Sequence, residues 1–175
     1  MVKLYKITTF LLYNIISMSE NIGDNVYTPP AIAKRIIDEF ELSGTVLEPF
    51  RGKGAFYDNY PNSVKKLWCE ISNGRDFFEF NERVDWIISN PPYSIFNDIL
   101  KHSFELCDNI VYLIPINKLT SSFTRIKQLS DWGGIPKVIL MSPKKIGFPF
   151  GFAVGAVYFK KGYKGLTEFK ILEEN

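Results

Sequence analysis

Asp85-Trp86-Ile87-Ile88-Ser89-Asn90-Pro91-Pro92-Tyr93 is the stretch on which the fold turns. An uncharged run, Trp86–Ser89, carries two β-branched isoleucines straight into a polar-proline-proline-aromatic corner. An apolar run of this length bounded by proline reads as a buried strand of a parallel sheet, ending at the sheet's carboxyl edge. Open α/β sheets place their ligands at that edge. The two prolines fix φ and remove two backbone donors, so no helix absorbs the carbonyls of Asn90 and Pro91. The corner therefore offers an amide side chain, a free main-chain carbonyl and an aromatic face. Together these suit the gripping of a planar base by its exocyclic amine.

Working outward, Pro29-Pro30 opens a segment with apolar residues at Ile32, Ala33, Ile36, Ile37 and Phe40, which predicts a helix capped by Thr28 and stopped by Ser43-Gly44. Thr45-Val46-Leu47 is a short buried strand that enters the glycine-containing loop Glu48–Phe56, with a helix expected to follow to about Tyr60. Val64–Glu70 reads as a second strand, Asn73-Gly74 as a turn and Phe96–Leu106 as an amphipathic helix. Asn109–Pro115 is another buried strand, and Ser121–Trp132 is helical. Lys137–Met141 and Ala153–Phe159 are expected as the last two strands, joined by the loop Lys144–Gly151. Strands alternating with helices imply right-handed crossovers and a mostly parallel sheet.

At 175 residues the chain fits one domain with a sizeable core. Hydrophobic content of 46% and aromatic content of 15% argue for a folded globule. A net charge of +2 leaves a nucleic-acid partner to be decided by local basic faces. Cys69 and Cys107 supply neither a disulfide framework nor a metal cluster, and His102, the single histidine, makes a histidine-based zinc site untenable. No apolar run reaches about 18 residues, so no membrane span is expected. Lys3 and Lys6 ahead of Ile7–Ile16 imitate a secretory signal, but Thr8, Thr9, Tyr13 and Asn14 dilute it. Residues 1–20 are accordingly read as an N-terminal extension, with Met18 a possible natural start, and the protein as cytoplasmic.

Asn90-Pro91-Pro92-Tyr93 resembles the catalytic tetrapeptide of the S-adenosylmethionine-dependent amino-methyltransferases, chiefly those acting on the N6 amine of adenine in DNA. The loop Glu48-Pro49-Phe50-Arg51-Gly52-Lys53-Gly54 is similar to that family's first motif, in which the glycines let the backbone approach the cofactor. By that resemblance Glu48, Gly52 and Gly54 cradle the methionine part. An acidic Glu48 suits an ammonium and a sulfonium, whereas a pyrophosphate prefers positive charge. Glu70, sixteen residues beyond Gly54, is stationed to accept the ribose hydroxyls, as in other doubly wound nucleotide sites. The resemblance also makes Asp76 the receiver of the adenine amine and Phe77 a stacking ring, although a phenylalanine there equally suits the core. Tyr27-Thr28-Pro29-Pro30 resembles the N-terminal cofactor motif, which a helix cap explains equally well.

The family implies a Rossmann-like class I α/β fold: a mostly parallel twisted sheet with an antiparallel C-terminal strand and helices on both faces. It implies S-adenosylmethionine as cofactor, DNA as partner and no metal. In the implied reaction a flipped adenine stacks on Tyr93 while the Asn90 side-chain carbonyl and the Pro91 main-chain carbonyl accept its amine hydrogens. Cys69 and Cys107 lack the preceding proline of cytosine-C5 enzymes and read as core. Lys118, Arg125, Lys127, Lys137, Lys144 and Lys145, interleaved with Phe123, Trp132 and Phe148, form either a phosphate-facing surface or a solvated one. The chain departs from the family in lacking a separate target-recognition segment. Residues 21–175 therefore read as one minimal catalytic domain, of restriction-modification or viral type, whose recognition comes from short loops, a partner subunit or a homodimer. The same tetrapeptide serves RNA adenine and release-factor glutamine methyltransferases, and a non-catalytic cofactor-binding or DNA-specificity subunit is the reading from another class.

Overall fold

The computed structural model describes residues 26–144, 146–149 and 151–172. The expected N-terminal extension 1–20, Met18 and Lys145 lie outside them. Among the described residues seven strands form one sheet: β1 (Thr45–Glu48), β2 (Lys65–Trp68), β3 (Trp86–Ser89), β4 (Asn109–Pro115), β5 (Gly133–Met141), β6 (Val154–Lys161) and β7 (Glu168–Ile171). Their order is β2-β1-β3-β4-β6-β5-β7. β2, β1, β3 and β4 are parallel, β6 runs antiparallel to both β4 and β5, and β7 is parallel to β5. The fold is thus the Rossmann-like mixed sheet expected, with β6 as the antiparallel C-terminal strand and β7 added after it.

β1, β3 and β4 are almost wholly buried, as continuous apolar runs in a parallel sheet must be when both faces are covered. One face carries α1 (Pro30–Ile37), whose Ala33, Ile36 and Ile37 pack with Val46, Ile88 and Val111. The other carries α2 (Phe96–Leu106), burying Phe96, Ile99, Leu100 and Leu106 against Leu47, Ile87 and Ile110. α3 (Asn117–Thr120) and α4 (Phe123–Trp132) follow β4, and Leu129 and Trp132 pack on that second face too.

Three local expectations change. Thr28 does not cap α1: the cap position is Pro29 with no side-chain hydrogen bond, and the helix ends at Ile37, before Ser43-Gly44. The helix expected after the glycine loop is a single 3-10 turn, Tyr57–Asn59. The Asn59 amide donates to the Ala55 carbonyl (2.8 Å), supplanting the backbone bond that would propagate a helix. β7 went unread because it is four residues long and exposed along its whole length, so no buried face marks it. Its Lys170 shares Glu39 with Lys137 of β5, at 2.6 and 3.0 Å. The Lys170 bond and Lys137 together hold the Glu39 carboxyl below its ordinary value against the opposing effect of burial.

Candidate active site

β1 and β3 are direct neighbours, with Val46 opposite Trp86 and Leu47 opposite Ile87. The chain leaves β1 to build β2 on one side, then returns to build β3 on the other, which makes the β1/β3 boundary the topological switch point. The glycine loop and the Asn90 corner therefore leave the same edge of the sheet from strands about 4.8 Å apart. A single small ligand can touch both.

In the glycine loop Gly52 and Gly54 have φ of 49° and 82°, a region open to glycine at little cost. A Cβ at Gly52 would stand 3.1 Å from the Tyr27 ring, and one at Gly54 2.9 Å from the Asp58 carboxylate. One side chain and one main-chain carbonyl from beyond the loop hold it. The Gly52 N–H donates to Glu70 Oε2 (2.7 Å), and the Arg51 N–H donates to the Cys69 carbonyl (3.0 Å). Glu70 also accepts from the N–H and hydroxyl of Ser72 through Oε1. Three of its roughly four acceptor positions are thus filled, so it can receive one further hydroxyl directly and a second by displacing Ser72.

Glu48 is 2% exposed, and its Oε2 accepts the Tyr57 N–H at 2.7 Å. Burial pushes its carboxyl up to about 8, opposed by that hydrogen bond and by Arg51. The side chain is therefore mostly neutral at pH 7 in the free protein and gains from a nearby cation. Pro49 and Phe50 carry the chain from β1 into the loop, and the Phe50 ring meets Phe77 edge-on at 5.3 Å.

The Asn90 amide is fixed at both ends. Its Nδ2 donates to the Val26 carbonyl (2.8 Å), and the Tyr93 hydroxyl donates to its Oδ1 (2.8 Å). A carbonyl only accepts, so the Val26 contact sets which end of the amide is nitrogen. Oδ1 retains one lone pair beyond the one Tyr93 uses. Tyr93 itself is 6% exposed and packed in the core cluster with Phe96. Its ring is thus no open stacking platform, and the hydroxyl's bond to Asn90 makes it a positioning residue. Pro91 is buried and Pro92 half-buried, both without backbone donors.

Tyr27 is 54% exposed, lying over Gly52 with Lys53 Nζ 4.5 Å from its ring centre. Thr28 is buried, and its Oγ1 has no hydrogen-bond partner, nor has the hydroxyl of the fully buried Ser89 beside Asn90. Unpartnered buried hydroxyls are costly unless a ligand completes them. With the burial-raised Glu48, and with Gly52 covered by the half-exposed Tyr27 ring, they form a donor set that fits a ligand with a cationic and a polar end, as S-adenosylmethionine has. Asp76 caps the 3-10 turn Phe77–Glu79 by accepting the Phe78 N–H (2.9 Å). Phe77 is a core residue, 2% exposed and packed edge-on against His102 as well. The expectation that Phe77 stacks on a ligand is corrected accordingly; the exposed ring beside it belongs to Phe78.

Sequence reading missed several participants. The Val26 carbonyl carries no sequence signal at all. Arg51 lies over Tyr57 and Trp68 at 4.9 and 5.0 Å, and Arg75 covers Trp68 at 4.1 Å, a cation–π group flanking the loop. His102 Nε2 lies 3.0 Å from the carbonyls of Phe77 and Phe80, tying that connector to α2. Cys69 and Cys107 are buried, and burial pushes their thiols up to about 11 and about 12, so neither is poised as a nucleophile. Of the basic residues expected on one surface, Lys127 pairs with Asp131, Lys137 with Glu39, and Arg125 is buried. Among the described residues no group of three or more candidate ligands can hold a metal, and no helix is long and apolar enough to cross a membrane.

No family model and no curated protein matches the chain. Solved structures do. The methyltransferase subunit of a type I restriction-modification system from Streptococcus thermophilus aligns with TM-score 0.66 and 16% identity over 93% of this chain and 50% of that one. A Listeria monocytogenes protein assigned as a class I S-adenosylmethionine-dependent methyltransferase aligns with TM-score 0.61 and 12% identity, over 93% of this chain and 69% of that one. The 23S rRNA methyltransferase ErmE gives TM-score 0.59 and 13% identity, over 81% of this chain and 73% of that one. This chain therefore spans half the length of the Streptococcus thermophilus subunit. Identities this low speak for architecture alone, and that architecture is the Rossmann-like fold of class I methyltransferases.

Proposed function

We propose that this protein transfers a methyl group from S-adenosylmethionine to the N6 amine of adenine in DNA. The observation that supports this reading most is Asn90. It stands at the switch point beside a positive-φ glycine loop, with its amide pinned so that one Oδ1 lone pair is left over. When bound, S-adenosylmethionine supplies an electrophilic methyl group on a sulfonium. Glu48, Thr28, Gly52, Gly54 and Glu70 would hold it.

Asn90 Oδ1 and the Pro91 carbonyl accept the two amine hydrogens of the target base. Drawing the N–H bonds toward acceptors displaced from the plane of the base would make the nitrogen pyramidal, turning its lone pair out of conjugation and toward the methyl position. The nitrogen would take the methyl carbon as that carbon's bond to the sulfonium sulfur breaks, leaving a neutral thioether, and one amine proton would then pass to solvent, so no protein nucleophile is needed. The target must leave its duplex to reach this depth. With the Tyr93 ring buried, Tyr93 holds Asn90 in place and the stacking role passes to another surface. The related fold in a restriction-modification subunit supports a reading in which target recognition comes from a partner chain or a second copy.

The test is transfer of tritiated methyl from S-adenosylmethionine to DNA, RNA and a release factor in parallel, followed by nucleoside chromatography. Label recovered as N6-methyladenine from DNA is the expected result. Label confined to RNA or to a glutamine replaces the substrate, and cofactor binding without transfer to any of the three makes the chain a non-catalytic subunit.

A further inference from the structure

Arg125 is the charged residue whose placement the site description leaves unexplained. It is 8% exposed, and among the described residues no carboxylate lies within ion-pair distance of it. Lys137, a half-hidden cation of the following strand, is by contrast paired with Glu39 at 3.0 Å. Buried charges are normally paired, because an isolated one forfeits its hydration. Every contact of Arg125 is instead neutral. Its Nε donates to Asn97 Oδ1 at 2.5 Å, its Nη1 to Ser121 Oγ at 3.4 Å, and its Cζ lies 5.5 Å from the centre of the Phe96 ring. These contacts fix the plane of the guanidinium from the Nε side and leave Nη2 with no protein partner among the described residues.

The position is informative as well. Phe96 and Asn97 form the first turn of α2, which begins directly after the Asn90–Tyr93 corner. That helix has no side-chain cap at its N-terminus, so its positive end adds to the charge of Arg125, with the exposed Asp98 the acidic residue of the turn. In the sheet β4 flanks β3 on the side away from β1, and Ser121 and Arg125 lie on the chain that follows β4. Asn90 thus has the glycine loop on one side and Arg125 on the other. A rigid guanidinium with a free edge and no counter-charge is built to receive a planar or tetrahedral oxyanion.

We propose that Arg125, held by Asn97 and Ser121 over the N-terminal turn of α2, binds a phosphodiester of the nucleic-acid strand that delivers the target base to Asn90. The proposal rests on the nucleic-acid methyltransferase reading above and adds to it the residue that supplies the backbone contact.

The experiment measures affinity of the full chain for an adenine-containing DNA oligonucleotide by fluorescence anisotropy across a salt series, with wild type, Arg125→Gln and Arg125→Lys. The same set is repeated with oligonucleotides carrying a neutral methylphosphonate at one position at a time around the target adenine. Arg125→Gln is expected to weaken binding about tenfold and to lower the salt slope by about 1. One methylphosphonate is expected to weaken wild type by a similar factor while leaving Arg125→Gln unaffected. Arg125→Lys keeps the salt slope and a reduced response to that single position, because a point charge still pairs with the phosphate but lacks the fork. An Arg125→Gln protein with wild-type slope, or one that responds to every methylphosphonate as wild type does, overturns the proposal while leaving the methyltransferase reading intact. Should the glutamine variant fail to fold, the lysine variant decides: an unchanged response to the single methylphosphonate makes the arginine purely structural. The same Arg125-dependent pattern on RNA with none on DNA upholds the phosphate contact and removes DNA as the substrate.

Discussion

The two loops that meet at the switch point are stiffened in opposite ways. The glycine loop is shaped by what it lacks. Gly52 and Gly54 take positive φ, and the loop's form comes from neighbours: Glu70 on the Gly52 N–H, Cys69 on the Arg51 N–H and the Tyr27 ring above. The Asn90 corner is shaped by its own residues. Among the described residues no non-glycine residue has positive φ, so its stiffness is unstrained: two prolines fix the backbone, and Tyr93 closes back onto Asn90 three residues earlier. The difference teaches which element has to leave space and which has to hold one oxygen still. On the proposed function, a cradle for a cofactor gains from missing side chains, whereas an acceptor aimed at a single amine gains from having no freedom.

Replacing Asn90 tests that division most severely. Asn90→Ala is expected to lower single-turnover methyl transfer by about 10²-fold or more, with cofactor affinity by calorimetry near wild type and a stability loss of about 1–2 kcal/mol from the two hydrogen bonds given up. A variant that transfers methyl at the wild-type rate would show that the corner does not hold the reacting amine.

The next largest effect concerns the floor of the glycine loop. Burial raises the Glu48 carboxyl from 4.5 to about 8. Between those values the unfolded chain has released the proton that the folded chain retains, so stability falls as pH rises through this window. The loss is on the order of a few kcal/mol. Thermal unfolding from pH 5 to 9 should show this decline in wild type and its absence in Glu48→Gln, making the glutamine protein the more stable one at high pH. Parallel curves for the two proteins would mean that the carboxyl is already ionised in the fold.

Tyr93→Phe keeps the ring in the core and removes only the hydroxyl that fixes Oδ1. About a tenfold loss in rate is expected, with about 1 kcal/mol of stability. If kcat is untouched, the prolines alone orient Asn90 and the corner needs no internal brace. The mildest probe is Gly52→Ala, which forces an alanine to φ near 49° and sets its Cβ 3.1 Å from the half-exposed Tyr27 ring. Because that ring can swing outward, the cost is about 1–2 kcal/mol of backbone strain, read as a small drop in Tm together with weaker cofactor binding. Wild-type affinity in this variant would show that the cradle tolerates the side chain the loop was thought to exclude.

Much of the sheet was legible because its strands are continuous apolar runs that only a two-sided burial explains. Asn109–Pro115 and Phe96–Leu106 take the bounds that their patterns predict. β7 and the missing helix after Gly54 were not legible. The first is exposed on both faces, and the second is cut short by one asparagine amide that prefers a neighbouring carbonyl. In the candidate site, local conformation was legible where a backbone requirement leaves a residue type behind, as with the positive-φ Gly52 and Gly54 and the double proline. It was not legible where the question was which way a side chain faces: Phe77 and Tyr93 turn into the core.

By itself the sequence determined the parallel order of burial, the glycine cradle and the proline-stiffened corner. Each of these rests on steric limits that travel with the residue type. Tertiary structure alone decided that the two loops share one edge, that the Val26 carbonyl orients the Asn90 amide from 64 residues away, and that Arg125 is buried with no ion-paired carboxylate among the described residues. The reason is physical: hydrogen bonds and desolvation depend on which groups are brought together in space, and distant partners leave no mark on the local pattern of a chain.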